Sequence, residues 1–265
     1  MKRCTVALLA LLAFFSSPAQ AAYTAATVKG SYSFLLNEWT ATPGTNSASL
    51  GVLTFDGIGG VSGSFLQVTN TGRQQFNIES GSAYSVKRTG AGSMSLVTSS
   101  GTLPFAFVLT SVSGGVAQQL QLLLLNPTTA NVVTAGTAVA INLPGPGINA
   151  NLKGTYGFLF NDWQTESSTN IWGAVGSIRF DGASSVTLSY TQEEDGVSQT
   201  QTLVGTYSVA ADGSGTMVFG TGANAVTFDF AINTLRKSIA TGLQFLNGNG
   251  NSSNNVVSTG TAIFQ

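Results

Sequence analysis

The sequence predicts an all-β protein built as two tandem antiparallel modules of about eight strands each. Three observations predict it. Apolar and polar residues alternate with a period of two in many short stretches, as in Tyr156, Phe158 and Phe160 against Thr155 and Gly157. The segment Lys29–Trp39 returns as Lys153–Trp163, 124 positions later. Turns rich in glycine and Asp-Gly separate the stretches, and no stretch after the first two dozen residues carries a helical stripe.

In chain order, residues 1–21 read as an export signal. Lys2 and Arg3 precede the apolar stretch Val6–Phe15, and Ala19-Gln20-Ala21 fits a small-x-small cleavage site. That stretch is shorter than the roughly 20 residues needed to span a bilayer. Cleavage after Ala21 removes Cys4, so the mature chain would hold neither cysteine nor histidine and packing alone would stabilise it.

The first module, 22–142, opens on Lys29-Gly30-Ser31-Tyr32-Ser33-Phe34-Leu35-Leu36. Gly51–Gly57 follows, then Tyr84-Ser85-Val86 with Gly90, Gly92 and Met94, then Gly136-Thr137-Ala138. Each has a partner in the second module, 151–265: Gly176–Gly182, Tyr207-Ser208-Val209 with Gly213, Gly215 and Met217, and Gly260-Thr261-Ala262. A period this long marks a duplicated domain rather than a solenoid of short units. The linker, 143–150, contains Leu143-Pro144-Gly145-Pro146-Gly147, whose prolines and glycines interrupt any ladder.

Strands in the second module are expected near 153–160, 173–180, 185–191, 200–209, 214–219, 225–232, 238–246 and 255–264. An up-and-down barrel would bury the edges of such a meander, and a two-sheet sandwich of the same strands is the alternative. The expected inner face carries Tyr156, Phe158, Phe160, Phe180, Tyr207, Phe228 and Phe230, bulk enough to fill most of a small barrel.

The pattern Gly-[Ser/Thr]-Tyr-x-Phe, Phe-Asp-Gly, Gly-Thr-Tyr-Ser-Val with Asp-Gly-x-Gly, and a closing Gly-x-Ala strand resembles a group of secreted bacterial tandem β-repeat proteins with no assigned activity. The second copy carries all of it, from Gly154 to Ala262, while the first has Ala83 before Tyr84 and Thr89 in place of aspartate. Gly-x-Tyr on the first strand is also similar to the Gly-x-Trp opening of lipocalin-type (calycin-like) barrels. Both resemblances imply architecture, not a ligand.

Composition narrows the function. Charged residues make up 8% of the chain against 43% hydrophobic. Without Lys2 and Arg3, eight basic residues stand against eleven acidic, which is not the footprint of a nucleic-acid binder. Lacking histidine and mature cysteine, the chain has no Ser-His-Asp triad, no thiol nucleophile and no thiolate or imidazole metal site. Gly60-Val61-Ser62-Gly63-Ser64 departs from a nucleophile elbow because Ser64 replaces the final glycine. No cofactor motif is present, so neither an enzyme nor a cofactor is expected.

Two polar triplets stand out: Asn37-Glu38-Trp39 and Asn161-Asp162-Trp163 end the first strand of each copy. One reading is a plug for the barrel end, and the other is a glycan platform in which each tryptophan stacks on a sugar. Glu193-Glu194-Asp195-Gly196 reads as a solvated turn rather than a calcium loop. Asp229, with Ala106 as its counterpart, is expected to face water. Leu120–Leu125 is apolar on both faces; aligned so that Leu123 meets Gln244, it predicts that Leu123 and Leu125 lie against the second module or another chain. The functional expectation is a secreted, non-catalytic protein acting through its surface, structural, adhesive or partner-binding. The alternatives are a binder of glycans or small apolar molecules and a sixteen-stranded outer-membrane barrel.

Overall fold

The computed structural model describes residues 22–40, 47–69, 72–125, 132–164, 172–194, 196–222, 225–247 and 256–265, with backbone alone at 40, 161–164, 172, 194 and 256. Among these, no α-helix occurs. The strands form two barrel-like modules. The first holds β1 (Lys29–Thr40), β2 (Ser47–Asp56), β3 (Val61–Thr69), β4 (Gly72–Ile78), β5 (Ala83–Val86), β6 (Ala91–Thr98), β7 (Gly101–Ser113), β8 (Val116–Leu124) and β9 (Val132–Ile141). The second holds β10 (Lys153–Gln164), β11 (Trp172–Asp181), β12 (Ser185–Glu194), β13 (Val197–Val209), β14 (Ser214–Phe219), β15 (Val226–Arg236), β16 (Ile239–Asn247) and β17 (Val256–Phe264).

Strands β10 to β17 pair in sequence order, and β10 pairs with β17 to close an antiparallel barrel. The first sheet, in the order β4-β3-β2-β1-β9-β8-β7-β6-β5, curls without closing. It has nine strands because of one break. In the second module β13 runs unbroken and pairs with both β12 and β14. At the comparable place the first module carries Glu79-Ser80-Gly81-Ser82, with Gly81 at φ +91°. The Ser82 Oγ donates to the Glu79 carbonyl and accepts from the Val97 amide, both at 2.8 Å. These local bonds replace the ladder. The strands thus divide between two sheets rather than forming the single sixteen-stranded cylinder held open as an alternative.

The shared motifs prove to be structural. Tyr32 packs edge-on against Phe55, which packs against Tyr84; Tyr156, Phe180 and Tyr207 repeat the arrangement. The hydroxyls of Tyr32 and Tyr156 each donate to a carbonyl, Ala117 and Ala240, at 2.7 Å. Tyr84 and Tyr207 donate to the carbonyls of Val28 and Leu152, tying the chain that enters each first strand. In the Phe-Asp-Gly turns, Asp181 Oδ1 accepts from the amides of Ala183, Ser184 and Ser185 at 2.7–3.0 Å, and Asp56 does the same for Ile58, Gly59 and Gly60. Gly57 and Gly182 follow at φ +85°, a conformation open to glycine at no steric cost. In Asp-Gly-x-Gly, a Cβ on Gly215 would overlap the Phe230 ring.

The modules dock through the outside of their sheets. Strands β15 and β16 lie across β1, β2 and β9, and β17 reaches β2 and β3. Leu35, Leu50, Leu66 and Val68 thereby join Ala231, Leu246 and Val257 in one buried cluster. At its rim the Arg73 guanidinium donates to both Asp229 oxygens at 2.8 and 2.9 Å. The Gln244 amide donates to Thr137 Oγ1 at 3.1 Å.

One expectation is corrected here and another is narrowed to its second branch, contact with another chain. Asp229 does not face water but is buried at the docking surface, because Arg73 reaches it from the other module. Leu123 and Leu125 are not covered by the second module; they are 43% and 37% exposed. The register corrects the alignment of Leu123 with Gln244. Leu120 pairs with Ala138 and Leu243 with Ala262, so Gln244 corresponds to Gln121, and Leu123 corresponds to Leu246. Leu246, 0% exposed, is the leucine that meets the other module.

Candidate functional site

Alternation along β1 decides what the first triplet can do. Phe34, Leu36 and Glu38 point into the first module, whereas Leu35, Asn37 and Trp39 point outward. Glu38 and Trp39 therefore lie on opposite faces of one strand, and a tryptophan platform flanked by this carboxylate does not form. Trp39 is 42% exposed, so it does not plug the barrel end either. In the second triplet, Asn161 pairs with Thr259, Asp162 with Ser258 and Trp163 with Val257. The side chains of Asn161, Asp162 and Trp163 lie outside the described residues. Glu38 and Asp162 stand on different sheets.

Glu38 enters a cavity of about 130 Å³ at the mouth of the first module. Phe34, Leu36, Phe76, Leu96 and Phe105 supply its apolar wall, while Ser49, Gln67, Thr98 and Thr134 lie with Glu38 on its polar side. Thr134 Oγ1 donates to Glu38 Oε2 at 3.3 Å. Burial pushes the Glu38 carboxyl above its ordinary range, and the hydroxyls of Thr134 and Ser47 offset only part of this. Among the described residues lining the cavity, Glu38 is the one titratable group.

Two of the residues lining the cavity are smaller than their counterparts in the second module. Where the first module has Leu36 and Leu96, the second has Phe160 and Phe219. Phe160 packs edge-on against Phe228 at 5.2 Å and stacks on Phe245 at 6.2 Å, and Phe219 meets Phe228 at 5.9 Å. Phenylalanine rings therefore pack together inside the second barrel at the places where the first module has leucine. The two leucines were visible in the sequence as departures between copies.

The remaining candidates are surface features. Ser64 lies within β3 opposite Val52, not at a strand-to-helix turn. Glu193 is exposed and accepts a hydrogen bond from the Ser198 hydroxyl; Asp195 lies outside the described residues. The large exposed apolar residues concentrate on two outer faces. One carries Val108, Leu123, Leu125 and Val133 on β7 to β9, and the other carries Leu159, Val175 and Ile263 on β10, β11 and β17.

No family model matches the chain, and no curated protein matches it. Among solved structures it is similar to a protein of unknown function from the DUF3598 family of Nostoc punctiforme, at 10% identity and a TM-score of 0.28, covering 89% of this chain and 96% of that one. It is also similar to CghA, solved with Sch210972, at 9% identity and a TM-score of 0.26, covering 88% and 87%. Neither likeness bears on function.

Proposed function

We propose that the chain is an exported, non-catalytic protein of two duplicated β-barrel modules that works through its outer surface. In this reading residues 1–21 are removed on export, 22–142 and 151–265 are the modules, and 143–150 joins them. One observation carries it: large apolar side chains gather exposed on outer sheet faces, while the phenylalanines of the closed barrel pack against one another inside. Contiguous apolar surface of this kind marks interaction sites.

A second reading has its own observation, the cavity beside Glu38. At about 130 Å³ it would hold a small apolar molecule with one hydrogen-bonding end, and it lies below the about 300 Å³ at which drug-sized sites begin. One experiment separates the two. A photo-cross-linking side chain is placed at Val108 on the surface or at Leu96 in the cavity, and the protein is irradiated in its producing cells. Macromolecular adducts at Val108 with none at Leu96 support the surface role. A small-molecule adduct confined to Leu96 would replace it with ligand binding.

A further inference from the structure

We infer that the contact between the two modules is repeated between chains, so that the β7–β9 face of one molecule docks on the β10–β11–β17 face of a second copy. This rests on the surface-acting reading and names its partner.

The intrachain contact is heterologous: it joins two different faces. The first module contributes the outside of β1, β2, β3 and β9, and the second contributes the outside of β15, β16 and β17. Each module therefore keeps the larger part of the face that the other one uses. A heterologous contact of this kind leaves part of each face unsatisfied, on β7 and β8 of the first module and on β10 and β11 of the second, with β9 and β17 at the border of the existing contact.

The free faces hold matching residues at matching positions. In the docked pair, Leu35 stands between Leu50 and Thr137; on the free face of the second module, Leu159 stands between Val175 and Thr261. Leu35 and Leu50 are buried, whereas Leu159 and Val175 are 51% and 59% exposed. On the opposite side, Ala231, Leu246 and Val257 are buried in the docked pair. Their equivalents Val108, Leu123 and Val133 are exposed on the first module.

The polar contacts also carry over. Gln244 donates to Thr137 across the existing contact, and the free faces present Gln121 and Thr261 at the same places. The Arg73–Asp229 pair becomes Ser198 and Ala106, both halves being replaced together, while Glu193 beside Ser198 must stay at the solvated rim of a second contact. Leu66 and Val68 become Thr191 and Glu193, which makes the repeated contact less apolar and so weaker than the intrachain one.

The test is sedimentation velocity on the chain from Ala22, loaded from about 5 to 500 µM, the range in which contacts of this strength dissociate. The average mass is expected to rise from one chain towards two or more. Leu123→Asp and Val175→Asp should each hold the protein monomeric, with far-ultraviolet circular dichroism and melting temperature unchanged. Should either variant melt early, Val108→Lys and Leu159→Lys probe the same two faces. An equimolar mixture of the two variants should form one-to-one dimers and nothing larger, because each retains the face that the other lacks. A monomeric wild type overturns the inference, as does a Val175→Asp protein that associates like the wild type. If the wild type is monomeric while the Val108 probe captures a different macromolecule, the second copy is rejected and the surface role stands. A ligand found only from Leu96 rejects both.

Discussion

Glu38 shows how one side chain can be read from its surroundings. Its carboxyl sits above the ordinary value of 4.5 because burial penalises the charged form. Well below that value both folded and unfolded chains are protonated at this site. As pH rises the unfolded chain ionises first, so the stabilising effect of the neutral acid is lost as pH climbs through the folded value. Glu38→Gln should therefore raise the melting temperature at pH 7, and the difference from wild type should vanish near pH 3. Asp56 and Asp181 act in the opposite sense: backbone amides hold them below the ordinary 3.8, so their contribution is lost as pH falls through their folded values. Both proteins retain these aspartates, so the Glu38 difference isolates one group. An equal gain at pH 3 and pH 7 would mean that packing, not charge, is responsible.

At the scale of elements, the hairpins divide into two kinds. The β7–β8 turn uses Gly114 and Gly115 at positive φ, whereas the β15–β16 turn places Lys237 and Ser238 at φ 51° and 66°. Side chains in that region cost roughly 1 kcal/mol or more per residue. Ser238→Gly should relieve this and stabilise the chain by about 0.5–1 kcal/mol in urea denaturation, after glycine's larger entropy loss is deducted. A destabilised variant would show that the seryl side chain holds the turn.

The sequence made much of this scale legible. The eight strands of the second module lie where period-two alternation put them, because each has one wet and one buried face. The ninth strand of the first module was hidden, since its origin is a short Ser/Gly break, Glu79–Ser82, inside one expected strand. Two lining residues of the cavity were in reach, because Leu36 and Leu96 depart from Phe160 and Phe219. The split of Glu38 from Trp39 followed from the same alternation, but grouping the triplet by sequence adjacency obscured it. Asp229 was not legible, as its partner Arg73 lies 156 residues away.

For the whole molecule, the docking of modules is the decisive contact. Leu246, buried there, and Leu123, its exposed equivalent, make an internal control. Leu246→Ala should cost about 2–5 kcal/mol, while Leu123→Ala at high dilution should stay within about 0.5 kcal/mol. Chemical denaturation measures both, and equal costs would place the first module's β7–β9 face against something within the same chain. The same asymmetry underlies the proposed association, since a face that is buried once and exposed once within one chain is poised to be used again.

The most direct measurement uses the absence of cysteine from residues 22–265. Two double variants, Thr137→Cys with Gln244→Cys and Leu123→Cys with Val175→Cys, are treated with a short bis-maleimide, and the products are weighed by mass spectrometry. The first pair should be bridged within single chains. The second should give covalent dimers and longer multimers, because Leu123 and Val175 are exposed on the outer faces of different sheets. A second pair that remains entirely monomeric under conditions where the first is bridged would contradict a contact repeated from chain to chain.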